Sequence, residues 1–163
     1  MLIQAYEEFL PEILEAAKKV YGDGLITLAV FGSIGRITPK PDSDIDIVIV
    51  AEGLPHGRIK RIVQFELVEN ILADSLTRLQ NEGIFTSLSP VLKTKDEVLA
   101  GSLLFLDMIE DARIFYDKNN FFKNFLSRLS CRLEKLGAKK VRRGGAWYWV
   151  LKEDYKIGEV FEI

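Results

Sequence analysis

Two aspartates separated by one residue, Asp44 and Asp46, follow a glycine-serine pair at Gly32 and Ser33, and these four residues have the types and spacing to do chemistry. On a strand, side chains at i and i+2 share a face, so the spacing predicts that both carboxylates point one way while Ile45, Ile47 and Ile49 point the other. Carboxylates held that close repel one another, and burial raises the cost, unless a cation lies between them. Oxygen-only ligation selects magnesium or manganese over zinc, and a magnesium ion carrying a triphosphate meets the need. The single histidine, His56, and the single cysteine, Cys131, are too few for an ordinary structural zinc cluster. Gly32 and Ser33 end an apolar stretch: a residue with no side chain lets backbone amides approach a phosphate, and the serine hydroxyl adds a hydrogen bond.

Each half of this arrangement is commonplace alone, one a strand-to-turn signal and the other a solvated strand end; their order and separation give them meaning. The stretch from Phe31 to Val50 reads FGSIGRITPKPDSDIDIVIV. Its Gly32, Ser33, Arg36, Pro41, Asp42, Ser43, Asp44, Ile45 and Asp46 resemble, in order and without a gap, the pattern of the DNA polymerase beta-like nucleotidyltransferase superfamily, in particular its small archaeal and bacterial minimal nucleotidyltransferases. The resemblance implies a polymerase beta palm-like fold and transfer of a nucleoside monophosphate from an NTP to a hydroxyl acceptor, with pyrophosphate leaving. It implies that Gly32 and Ser33 bind the nucleotide's phosphates, that Asp44 and Asp46 are the catalytic ligands of Mg2+ or Mn2+, and that Arg36 offsets charge on the leaving oxygens. Arg36 otherwise reads as a surface ion pair.

The sequence departs from the family pattern twice. Ile37 stands where a glycine usually follows the arginine. The third carboxylate, usual on a later strand, has no counterpart in IFTSLSPVLKT, where Ser87 and Ser89 share the face on which an acid is expected. Asp96 and Glu97, just beyond it, read better as charges at a helix N-terminus. The alternative function is therefore a weakly catalytic or non-catalytic nucleotide-binding module, an antitoxin-like partner of a small helical protein, since minimal nucleotidyltransferases often pair with one.

The elements that must position these groups follow from periodicity. Leu10, Ile13, Leu14, Ala17 and Tyr21 form one helical stripe that Pro11 either starts or bends and Gly22, Asp23 and Gly24 end. Strands are expected over 25–31, 44–50, 84–93 and 112–116, a long helix over 56–79, a helix from Lys95 towards Asp111 behind a Thr94–Glu97 capping box, and another over 120–136 closed by Gly137. The expected architecture is α/β: a small mixed sheet with helices mainly on one face and the metal site at its open side. His56 is expected at a loop or helix start without catalytic role, and Cys131 as a partly buried thiol beside Leu126, Leu129 and Leu133.

With 163 residues, 48% of them hydrophobic, the chain can bury a substantial core. The expected division is a nucleotidyltransferase core over 1–118 and, over 119–163, a C-terminal helix plus an aromatic and basic extended tail packed on it. A formal charge of -2 provides no general attraction to nucleic acid or anionic membrane, apolar runs are too short to span a bilayer, and one cysteine with no secretory leader points to the cytoplasm. Lys139, Lys140, Arg142 and Arg143 before Trp147, Tyr148 and Trp149 suit either a hairpin turned at Gly144-Gly145, serving core packing or a homodimer contact, or a nucleic-acid surface.

Overall fold

Helix α1 (Leu2–Tyr21) buries Tyr6, Phe9, Leu10, Ile13, Ala17 and Tyr21, and a 3-10 turn over Gly22–Gly24 ends it in the computed structural model, which describes residues 1–144, 146–161 and 163. Pro11 neither starts nor ends this helix. It lies inside, on the exposed side, where the missing backbone donor faces water rather than the core.

Strand β1 (Leu25–Phe31), the single turn α2 (Gly32–Gly35) and strand β2 (Ile45–Ala51) come next. Helices α3 (Arg58–Ile71) and α4 (Ala73–Asn81) lead to strand β3 (Leu88–Lys93), then to α5 (Lys95–Leu99), α6 (Phe105–Asp111), β4 (Arg113–Asp117) and α7 (Phe121–Leu136). A separate hairpin, β5 (Lys139–Arg143) and β6 (Ala146–Val150), follows; Gly144 takes a positive φ of 58° at its turn, and Gly145 lies outside the described residues.

The main sheet has the order β3-β2-β1-β4, with β1 antiparallel to both β2 and β4 and β2 parallel to β3. A parallel pair needs a long crossover, which α3 and α4 supply. Alternate residues of the central strands feed two cores, so the strands read as continuous apolar runs. Leu28, Val30, Ile45, Ile47 and Ile49 pack with Phe9, Ile13, Phe65, Val68 and Leu79 of α1, α3 and α4. Ile26, Ala29, Val48 and Val50 pack with Val98, Phe105, Met108, Phe122 and Leu129 of α5, α6 and α7. The mixed sheet is as expected, and its helical cover is fuller than the mainly one-sided layer that the sequence implied.

The long helix expected over 56–79 breaks where Leu72, itself buried, leaves helical geometry at φ −92°, ψ 0°. The helix from Lys95 stops at Leu99, and Gly101 then takes a positive φ of 80°. The capping box forms in full: the Glu97 amide donates to Thr94 Oγ1 and the Thr94 amide to Glu97 Oε2. Gly137 adopts the left-handed cap expected after α7, at φ 70°. Cys131 is exposed on α7, off the stripe of Leu126, Leu129 and Leu133, which corrects its expected partial burial. Among the described residues no helix is long and apolar enough to cross a membrane.

Candidate active site

The turn after β1 and the start of β2 meet at one point. Phe31 pairs with Asp46 across the antiparallel strands, so the next residue, Gly32, lies directly over the Asp46 side chain. A Cβ on Gly32 would stand 2.3 Å from Asp46 Oδ2, and its φ of 67° is one that only glycine takes readily. At the other end of α2, a Cβ on Gly35 would stand 2.2 Å from the Asp111 carbonyl oxygen, which fixes the turn against α6. Ser33 is half-buried at the head of the turn, and its carbonyl accepts the Thr38 amide at 2.9 Å. Ile37 takes φ 59°, the conformation for which a glycine would be the natural choice.

Asp46 is the second residue of β2, whereas Asp44 precedes the strand; this corrects the expectation that both stand on it. The approach to the strand is pinned from α1, whose Tyr6 hydroxyl lies 3.1 Å from the carbonyl oxygens of both Lys40 and Ser43. The two acids remain electrostatically coupled. Burial pushes the Asp46 carboxyl above the ordinary aspartate range and the charge of Asp44 adds to the effect, while the Ser89 hydroxyl and Arg36 oppose it. Ser89 pairs with Asp46 in the parallel β2-β3 register, and Ser87 Oγ donates to Asp44 Oδ1 at 2.6 Å. The two serines thus sit beside the two acids, on the face expected from their alternation. Among the described residues no three acids, histidines or cysteines gather into a metal-holding cluster. Two coupled carboxylates with serine hydroxyls beside them form an all-oxygen donor set, which fits one hard divalent cation. Glu97 is turned elsewhere: Arg61 Nη1 bonds it at 2.7 Å and, with the Thr94 amide, holds its carboxyl down to about 2. His56 is exposed in the bend before α3.

Arg36 closes the turn and points towards α6, where its guanidinium pairs with Asp111, itself only 7% exposed, and lies 5.1 Å from the centre of the Trp147 ring. That ring belongs to the hairpin. The register sets Lys140 against Trp149 and Arg142 against Trp147, so these four share one hairpin face. Trp147 Nε1 and Trp149 Nε1 both donate to Asp107 Oδ1, at 3.2 and 3.0 Å, and Lys140 bridges Asp107 and Glu110. Burial opposes ionisation of Asp107, but the two indole donors and Lys140 outweigh it and hold the carboxyl below its ordinary range. Asp107, Asp111 and the inward direction of the tryptophans escaped the sequence reading. Acids in a helix carry no local sign of partners 40 to 75 residues away; only the alternation of Lys140 with Arg142 and of Trp147 with Trp149 hinted at a shared face.

A four-stranded mixed sheet with a glycine turn folded onto Asp46 at the start of β2 makes a small α/β domain, and its sequence is that of a nucleotide-transferring class. The chain belongs to the nucleotidyltransferase domain family, whose sequence model matches residues 10–96. It is 31% identical over 129 residues, 78% of its own length and 82% of the relative's, to a protein of Methanocaldococcus jannaschii that carries the provisional name protein adenylyltransferase MJ1305. The solved structure of a mutant toxin-antitoxin, MntA-HpeT, superposes with a TM-score of 0.50 at 16% identity, over 77% of this chain and 86% of that one, a likeness of fold.

Proposed function

We propose that the chain is a Mg2+- or Mn2+-dependent nucleotidyltransferase that moves a nucleoside monophosphate from an NTP to a hydroxyl acceptor and releases pyrophosphate. The observation that carries this reading is the Asp46 carboxylate lying where a Gly32 side chain would otherwise be. Phosphate-approaching backbone and cation-holding acid then act at one place. Asp44 and Asp46 hold the divalent ion, and Ser87 and Ser89 orient their carboxylates. When bound, that ion neutralises phosphate charge and lowers the pKa of the attacking hydroxyl. Backbone amides at Gly32 and Ser33 take phosphate oxygens, and Arg36 at the end of the turn offsets the charge that develops on the leaving pyrophosphate.

The relative's name supports an adenylyl group as the one transferred, for which ATP is the natural donor, and a protein as acceptor. Incubation with labelled ATP and magnesium is expected to yield labelled acceptor and pyrophosphate. Asp44→Asn and Asp46→Asn should each lower the rate by at least about a hundredfold while circular dichroism stays unchanged. Full activity in the double variant sinks the assignment.

One observation favours a second reading, a nucleotide-binding module of low turnover acting with a small helical protein: serines, Ser87 just before β3 and Ser89 on it, and not an acid, stand beside Asp44 and Asp46. Tight magnesium-linked ATP binding without pyrophosphate release, together with co-purification of such a partner, would select it.

A further inference from the structure

The hairpin leaves a cavity of about 370 Å³ against α2 and α6, lined by Arg36, Glu110, Asp111, Lys140, Arg142 and Trp147. We propose that this cavity receives the base of the nucleotide whose phosphates lie on the Gly32-Ser33 turn; the assignment rests on the reading of that turn as the phosphate site.

Three features of the cavity select this occupant. Arg36 belongs to both places, ending the α2 turn and lining the cavity, so the two are joined through one residue, as a ligand with a polyphosphate at one end and a ring at the other requires. Charge in the cavity is largely matched already: Arg36 pairs with Asp111, and Lys140 with Glu110 at 3.0 Å and Asp107 at 3.4 Å. Arg142 alone of the lining cations has no carboxylate partner among the described residues. A pocket so balanced has little pull on a second polyanion and suits a flat neutral ring, which an indole and a guanidinium accommodate by stacking. Finally, the hairpin is tied down through Asp107 by two indole donors, so Trp147 is a fixed wall rather than a loose arm. The volume lies within the usual range for small-molecule sites, roughly 300–1,000 Å³.

Titration calorimetry of the full chain with magnesium compares ATP with inorganic tripolyphosphate. The wild type is expected to bind ATP more tightly. Trp147→Ala and Arg142→Ala should each weaken ATP by about tenfold while leaving tripolyphosphate within about twofold, and Trp147→Phe should restore most of the loss. Arg142→Ala serves if Trp147→Ala unfolds the hairpin, since no ion pair among the described residues depends on that arginine. Unchanged ATP binding in both variants, or an equal loss for both ligands, overturns the base site and leaves the phosphate turn standing. Binding of neither ligand by the wild type removes the phosphate site and the base site with it.

Discussion

At Gly32 the need for glycine comes from a carboxylate, not from the turn alone. Gly32→Ala must both hold a positive φ and push a methyl group into Asp46, so a loss of about 1–3 kcal/mol in urea unfolding is expected, with nucleotide binding reduced further still. Ile37 makes the opposite case. A β-branched residue at φ 59° is strained, and half its side chain is exposed, so Ile37→Gly sacrifices little burial. A gain of up to about 1 kcal/mol, read as a higher Tm, is expected. The sequence made the neighbourhood of Asp44 and Asp46 legible because strand alternation is enough to put Ser87 and Ser89 on one face. It could not reveal the partner of Arg36. Asp111 is 75 residues away, and nothing about it as a helical acid announces the pairing.

Helices and strands were legible where apolar periodicity ran unbroken and were misread where a single residue interrupted it. Strand β1 and the Thr94 capping box fall where the pattern puts them. The breaks at Leu72 and after Leu99 each separate two helices that pack on the same face of the sheet, and the apolar spacing, which runs on across both, does not record them. Helix α5 offers a test at this scale. The Arg61 bond, then the Thr94 amide, hold the Glu97 carboxyl near 2, below its ordinary 4.5, so the charged form is favoured by folding. That stabilisation is complete above the ordinary value and disappears as pH falls from 4.5 towards about 2. Glu97 is over a third exposed, which limits its worth to about 1 kcal/mol or less. Glu97→Gln should therefore unfold at lower urea than the wild type at pH 7, and the two curves should converge near pH 2 if the chain stays folded there.

Over the whole molecule, both faces of one sheet are covered, and the last helix and the hairpin lie on the side opposite α1. The sequence suited a hairpin but did not give its orientation, because β5 carries basic residues on both faces and β6 aromatic residues on both, so either face could have turned inward. Asp107 decides the matter by accepting both indoles. Asp107→Ala should loosen the appendage without melting the domain: amide exchange is expected to quicken over residues 139–150 and to stay slow in β1 and β2. The chain has just two tryptophans, and both stand on β6 with their N–H groups on one oxygen. Its intrinsic fluorescence is therefore the signal of a single surface rather than an average over the protein. A shift or quench of that emission during a titration reports events at the hairpin with no dye attached, and its time course in a stopped-flow cell would give the rate at which a ligand arrives there.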